Sequence, residues 1–537
     1  KPSFVDKTIS KIFFFRNRIG LLSEENVILS RTNDFHNFWA KTAFTVANAD
    51  PIDIQSSSTT PTKLFDAVEV NAGLLITSAS QQFLLATDEV QLTPETGRIS
   101  FLSSYAFNEK TRPFSLGTTA AWLNSTAKQT RFHEMANIQR AGEPVVLEQS
   151  KVISKLFPSD ITLVAESADN NMVLFGSKDK NEVWGYKYFD QGQNRIQSAW
   201  FRWELPGTVT YHIIMDDKYY AIIKNDTDKY TLEEIDLKKA DDTVLTGTAP
   251  DDYVVHLDSK TIVAAASLTY NATTNRTYFT LPSTYNSSST LAAFIHTAGD
   301  KLGNYSEVTN TSATIEADDV NVDNEQITIT GHSFVTGDIV TYDNGGGTTL
   351  AGLTNGTSYY VIKASANAIA LASSASNANG GIAVNLTGTG NDAQTLSMCH
   401  VTTDWTDQDM TLGYLYEYEV ELPTFYVQKQ EGDRVRSDTR GSLIIHRVNF
   451  SFGAVGLIDT TLKRKGRADY SKTYDSIEWD SYAASTLPIV KDYIHTIPVY
   501  DRNTNLSVHL KSSHPAPATL HSVTWEGDFT PKYYRNV

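Results

Sequence analysis

Residues 12–39 read IFFFRNRIGLLSEENVILSRTNDFHNFW, and this stretch decides the fold class. IFFF and NVILS are apolar runs of strand type. Between them lies a segment holding Arg16, Asn17, Arg18, Gly20 and Ser23, which reads as a turn region. Phe35, Phe38 and Trp39 follow at a spacing that lets an aromatic tail fold back onto the hairpin. The expectation is a β-hairpin of two short strands closed by aromatic packing.

The rest of the composition agrees with that reading. Among 537 residues, 40% are hydrophobic and 20% charged, the balance of an ordinary globular chain with sizeable cores. Its 26 Tyr, 24 Phe and 8 Trp, with abundant Thr, Ser, Val and Ile, suit pleated, half-buried surfaces. A formal net charge of −17 disfavours broad, tight contact with nucleic-acid phosphates and reads first as a solvated acidic exterior, without arguing against a pore through which DNA slides. One cysteine, Cys399, leaves no intrachain disulfide and no multi-cysteine metal cluster, as expected of a chain built in a reducing cytoplasm. No apolar run reaches the roughly 18 residues of a transmembrane helix. The apolar start IFFF is broken at once by RNR, which is not a signal-peptide pattern.

Along the chain, residues 1–245 repeat one plan: apolar strand, polar turn, apolar strand. NAGLLITSASQQFLLAT (71–87), NNMVLFGSKDKNEVWGYKYF (170–189), SAWFRWELPG (198–207) and HIIMDDKYYAIIKNDTDKYTLEEIDL (212–237) show it best. Their recurrence falls in the range of propeller blades, so a β-propeller-like region is expected, with independent hairpins of a sandwich as the alternative. TAKQTRFHEMANIQRA (126–141) reads as a short helix or an irregular strand. Residues 246–315 form a connecting β-region. Residues 316–398 are a compositional island, rich in Gly and Asn with Lys363 its one basic residue, and read as an inserted small β accessory domain. Residues 399–537 return to alternating strands such as GYLYEYEVELPTFYVQ and form a C-terminal β-domain.

The run RNRIGLLSEENVILSR followed by DFHNFW resembles the signature of tail nozzle proteins, also called tail tubular protein B, of short-tailed bacteriophages. DTRGSLIIHRVNFSF and PAPATLHSVTWEGDF resemble that family's final-domain strand and C-terminal signature, so the two bracket nearly the whole chain. GHSFVTGD, GTSYYVI and AIALASS in the island resemble small β-modules of phage tail and bacterial surface proteins. The signature residues are Arg16, Asn17, Arg18, Gly20, Glu25, Asn26, Phe38 and Trp39 at one end and Trp525, Glu526 and Gly527 at the other, all expected to bear the fold. The resemblance implies a mostly-β structural protein of the virion tail: a ring of six copies beneath the portal and the adaptor ring, beside tail fibres and facing the host surface. Genomic DNA would leave through its lumen without specific binding. It also implies a substantial region ahead of this numbering.

Catalytic motifs are missing: no GxSxG, HExxH, P-loop or GxGxxG follows the required element, and no enzyme activity, cofactor or metal is expected. His509, His514 and His521 surround a Pro-containing loop but need a converging carboxylate to hold a metal. Cys399 and His400 are neighbours that a strand points to opposite faces. Asp216–Asp217, Asp241–Asp242, Asp251–Asp252 and Asp318–Asp319 sit in turn contexts. DVNVDNEQITIT, from Asp319, places Asp319, Asn321 and Asp323 as in a calcium loop, yet Asn324 and Thr330 replace the required Gly and Glu. Lys463, Arg464, Lys465 and Arg467 in LKRKGR form the one concentrated basic element, read first as a hairpin tip and second as a lumen or subunit contact. Arg16, Arg18 and Glu25 are expected to pair internally or across a subunit boundary. A receptor- or glycan-binding tail protein built around the island, or a tail-associated depolymerase with paired carboxylates, are the alternative functions.

Overall fold

Arg16 and Asn17 take left-handed backbone, at φ 46° and 58°, and close the first hairpin in two residues. A computed structural model describes residues 1–537 except 43, 57, 59–60, 88–90, 137, 139–143, 192–193, 226–227, 238–254, 283–284, 286–289, 296–300, 302–303, 432–433, 476–491 and 532–537. The tight turn corrects the expected two-strand hairpin. RIGLLS is itself a strand, giving β1 (Ile9–Phe15), β2 (Arg18–Ser23) and β3 (Asn26–Leu29), joined to β4 (Ile52–Gln55) in the order β1-β2-β3-β4. The reason is apolar burial: Leu21, Leu22, Val27, Ile28 and Leu29 are all buried, so the segment between the two runs is worth more as a central strand than as a loop. Gly20 sits opposite Phe13, whose ring covers it so closely that a Cβ there would lie 2.2 Å from a ring carbon. Phe35 meets Phe14 edge-on at 5.6 Å and Phe38 meets Phe4 at 5.2 Å, whereas Trp39 stays 59% exposed.

The chain divides into two compact units, Lys1–Lys239 and Ala240–Val537. In the first, every sheet is built from consecutive antiparallel strands. After β1–β4 come β5 (Leu64–Val70), β6 (Gly73–Ser78), β7 (Gln82–Thr87) and β8 (Gly97–Ser103), paired in that order. Next is a sheet of β9 (Phe114–Ser115), β10 (Ala120–Ser125), β11 (Thr130–Ala136) and β12 (Val145–Glu148). The last has six strands, β13 (Leu163–Ser167), β14 (Met172–Gly176), β15 (Lys180–Gln191), β16 (Asn194–Met215), β17 (Lys218–Lys224) and β18 (Tyr230–Asp236). The 126–141 segment resolves toward its strand alternative in β11, where His133 and Met135 are buried. Apolar residues pack between successive sheets: Phe132 of β11 meets Phe175 of β14 and Tyr186 of β15 at 5.2 and 5.3 Å.

In the second unit, strand Gln394–Thr402 is the hub. Along most of one side it pairs with Thr309–Ile315, and Arg276–Tyr278 and Ile339–Asp343 also pair with it. Chain 316–393 therefore leaves and re-enters between two paired strands, and its own core includes Val340, Val361, Ile369 and Leu371. Toward the C-terminus, Tyr418–Glu421, Leu506–Ser512, Leu457–Arg464 and Tyr470–Asp475 form a four-stranded sheet. Ser442–Val455 lies between Tyr493–Arg502 and Ala518–Thr530 in a three-stranded one. The two sheets share one apolar core with Val448, Phe450, Ile497, Leu510 and the half-buried Trp525. The architecture is mostly β, as expected.

Several histidines are buried in these cores. His212, His400 and His495 are each pushed down to about 4, in every case chiefly by burial, with Arg276 adding to His400 and Lys472 to His495. A histidine near 6.5 in the unfolded chain and about 4 when folded binds its proton more tightly unfolded. Its share of stability is therefore complete above about pH 6.5 and is lost as pH falls from there to about 4, by up to about 3 kcal/mol per residue. Denaturant melts should show stability flat from pH 7 to 8 and falling steeply between pH 6.5 and 4. His495→Phe should flatten part of that slope, and an unchanged slope would contradict the assignment.

Candidate functional site

Three places gather the residues singled out by the sequence. The first is Arg18. At the start of β2 its side chain turns inward and is 1% exposed. Nη1 donates to the carbonyls of Ser30 and Asp50 at 2.6 and 2.7 Å, and Nη2 to that of Asn48 at 2.9 Å. Burial depresses the guanidinium and the Asp50 charge opposes this. Asp50 is itself held low, first by the Ala47 amide at 2.9 Å and then by the Lys41 amide at 3.2 Å, Arg31 and Arg18, against burial. One cation and one carboxylate thus fasten the loop between β3 and β4 to the hairpin. Glu25 bonds Gln55 Nε2 at 2.7 Å, Asn26 is a buried strand residue, and the Arg16 guanidinium lies 5.7 Å from the Phe15 ring. Of the expected ionic trio, only Arg18 is a buried anchor.

The second place is the closing strand Ala518–Thr530. Trp525 lies against Phe425 at 6.3 Å in the shared core. Glu526 points outward and pairs with Arg447 at 2.9 Å on the neighbouring strand. Gly527 lies where a Cβ would meet the Ile444 carbonyl oxygen at 2.2 Å, a close approach of two backbones that any other residue would break.

The third place is the sheet Tyr418–Glu421, Leu506–Ser512, Leu457–Arg464, Tyr470–Asp475. Its hairpin end carries Lys463, Lys465 and Arg467, all exposed, with Arg464 half-buried and Gly466 at φ 75°. Lys465 Nζ donates to the Thr504 carbonyl at 2.9 Å. At the other end is a recess of about 250 Å³ lined by His256, Tyr416, Tyr418, Ser512, His514 and Thr519 among others. The His514 ring lies 4.3 Å from that of Tyr305, and its Nδ1 accepts from the Ala516 amide at 3.0 Å. That bond places the proton on Nε2, which has no partner among the described residues. Burial lowers His514 to about 4. The recess was not foreseen. LYEYEVEL revealed the strand alternation, but the facing wall comes from a segment far along the chain.

The remaining sequence candidates stay apart. His509 is 3.3 Å from Glu419, His521 lies beside Gly453, and no group of three or more metal-ligating side chains gathers among the described residues. Cys399 is buried, and burial pushes its thiol up to about 12; it joins one core, while His400 packs on Tyr278 at 5.6 Å. Asp216 and Asp217 form a tight turn, and Asp319 closes a short 3-10 turn by bonding the Glu316 amide. Asp241–Asp242 and Asp251–Asp252 lie outside the described residues. A further ionic centre that the sequence did not flag is Arg195. Both Glu134 oxygens (2.6 and 2.9 Å) and both Asp190 oxygens (2.7 and 3.0 Å) receive it, and Tyr188 lies 4.4 Å beneath. Burial alone would lower this guanidinium, but the Asp190 and Glu134 bonds outweigh it and hold it above its ordinary value.

The described residues form consecutive sheets fastened by buried ionic anchors, which defines a mostly-β protein of several sheets. Comparison with known families gives the particular one: the family model described as bacteriophage nozzle protein matches residues 1–344 and 306–536, and the chain belongs to that family. Tail tubular protein gp12 of Escherichia phage T7 is 27% identical over 288 residues, 53% of this chain and 36% of that protein, so the match spans about a third of the relative. Among solved structures, Kluyvelomyces marxianus Hsv2 aligns at TM-score 0.27 and 11% identity, covering 50% of this chain and 78% of that one. An exo-β-1,3-galactanase from Phanerochaete chrysosporium aligns at 0.20 and 8%, covering 96% and 95%. Likenesses this slight carry no argument about fold or activity.

Replacing Arg18 leaves three inward carbonyls without their donors. Arg18→Met should cost about 3 kcal/mol or more, and Arg18→Lys somewhat less, because one ammonium cannot reproduce the fork. Urea unfolding followed by intrinsic fluorescence measures this. A loss below about 0.5 kcal/mol would mean that water replaces the guanidinium without penalty.

Proposed function

We propose that this chain is a structural subunit of the virion tail, assembled in the host cytoplasm into a hexameric ring below the portal and its adaptor ring. The ring forms the distal conduit through which genomic DNA leaves, flanked by tail fibres and facing the host surface. The observation that carries the reading is the nozzle-family match, which runs from residue 1 to residue 536. In this reading residues 1–245 are a propeller-like body, 246–315 connect, 316–398 are an accessory module, and 399–537 contribute the channel wall.

The physics is mechanical and makes or breaks no bond. A conduit for DNA needs a stiff wall and low affinity for phosphate. Long antiparallel sheets supply stiffness, and a net charge of −17 keeps the duplex from adsorbing. Signature residues such as Arg18, Gly20 and Gly527 act by holding backbone in place; Lys463, Arg464, Lys465 and Arg467 are reserved for contact at the lumen or between subunits. A second role, binding of a receptor or glycan by the 316–398 module, draws on the way that segment leaves and re-enters between paired strands. Deleting it should then abolish host adsorption while particles still assemble.

For the conduit itself, purified protein titrated with duplex DNA at physiological salt should show no saturable binding below about 100 μM, at or beyond the weak end of ordinary non-specific association. Sub-micromolar binding would overturn the passive-wall account.

A further inference from the structure

The apolar core between the two C-terminal sheets gives out at one end in a recess of about 250 Å³. Val420 lies opposite Leu510, which belongs to that core; two residues along, on the same face, Tyr418 lies opposite Ser512, and both line the recess. Tyr416, two residues before Tyr418, extends that wall, while Ala518 and Thr519 of the closing strand contribute from the other sheet. The His256 amide donates to the Pro515 carbonyl at 2.8 Å, which ties the His256 segment to the loop bearing His514, and both rings line the recess as well. Four separate stretches of chain thus hold the walls in place.

The lining is uncharged at neutral pH. Burial lowers both histidines, His514 to about 4, and the charges felt at the walls are opposite in sign, Lys260 at His256 and Asp258 at Tyr416. Glu419 and Glu421 point to the other face of the sheet. What the walls offer instead is hydroxyl. Burial raises Tyr416 and Tyr418, yet neither hydroxyl has a hydrogen bond among the described residues. Ser512 spends its proton on the Leu457 carbonyl and keeps its lone pairs. His514 Nε2–H is a buried donor without a partner among the described residues, a desolvation left uncompensated. An anion entering here meets no cationic side chain in the lining and a cation no carboxylate, so a charged ligand loses hydration that the walls do not return. A wholly apolar ligand leaves the hydroxyls and the Nε2–H unpaired. A ligand with an apolar ring face and several neutral hydroxyls satisfies both the aromatic rings and the polar atoms between them.

We propose that this recess binds one neutral pyranose unit, its C–H face against the Tyr416 and Tyr418 rings and its hydroxyls on the tyrosine hydroxyls and His514 Nε2–H. The site lies outside the 316–398 module and does not depend on the ring reading of the preceding subsection.

The test is saturation-transfer NMR on the full chain at pH 7 with methyl glucoside, methyl galactoside and methyl N-acetylglucosaminide. At least one should show ring-proton signals, and the charged sugars glucuronate and glucosamine should bind about fivefold or more weakly. Tyr418→Ala should weaken the neutral sugar about fivefold or more. Tyr416→Phe and His514→Phe, which keep a ring and remove one polar partner each, should also weaken it, and unchanged thermal melts confirm that the variants fold. Silence from all three neutral glycosides, a preference for a charged sugar, or equal signals from wild type and the three variants would overturn the assignment. So would silence accompanied by self-association that Tyr418→Ala abolishes in sedimentation, since the recess would then be covered by a second copy. Each of these failures leaves the nozzle reading standing, because that rests on the family match.

Discussion

A single buried guanidinium sets the start of this fold. Water solvates arginine so well that most proteins keep it outside, yet Arg18 sits at 1% exposure with two of its nitrogens on three backbone carbonyls. The arrangement is stable because the Arg18 nitrogens meet three carbonyls of the loop, and because Asp50 supplies a counter-charge while binding amides of the same loop. Hairpin and loop therefore fold as one piece. Arg195 repeats the principle between β11 and the β15–β16 hairpin, with two carboxylates in place of carbonyls. In the first unit, whose sheets follow one another along the chain, such fasteners fix elements that strand pairing alone leaves free.

Much of this was legible. Alternating apolar runs and polar turns announced a mostly-β chain, and two bracketing signatures pointed to the nozzle family. What escaped depends on contacts distant in sequence. RIGLLS carries an arginine and a glycine, residue types that mark loops, and only the burial of Leu21 and Leu22 and the ring of Phe13 over Gly20 make it a strand. Arg18 read as one of three ion-pair candidates, internal or across a subunit boundary, because side-chain type does not tell a solvated cation from a caged one. The 126–141 stretch lacked clear periodicity because a strand buried on both faces, with His133 among the aromatics, does not alternate. Asp50 and Arg195 carried no local pattern, and His514 stood out only as one of three histidines around a Pro-containing loop; their roles come from contacts distant in sequence.

Charge is distributed with the same economy. The chain as a whole is strongly acidic, while the residues from 422 onward hold 15 Lys and Arg against 12 Asp and Glu. An acidic body repels both DNA and other acidic bodies.

Everything functional here depends on where the molecule sits in a particle. Three-dimensional imaging of the intact virion, with this chain fitted into the tail density, answers that most directly. The account predicts a closed ring of copies on the tail axis around an open or gated lumen; isolated copies on the outside of the virion, away from any axial channel, would contradict it.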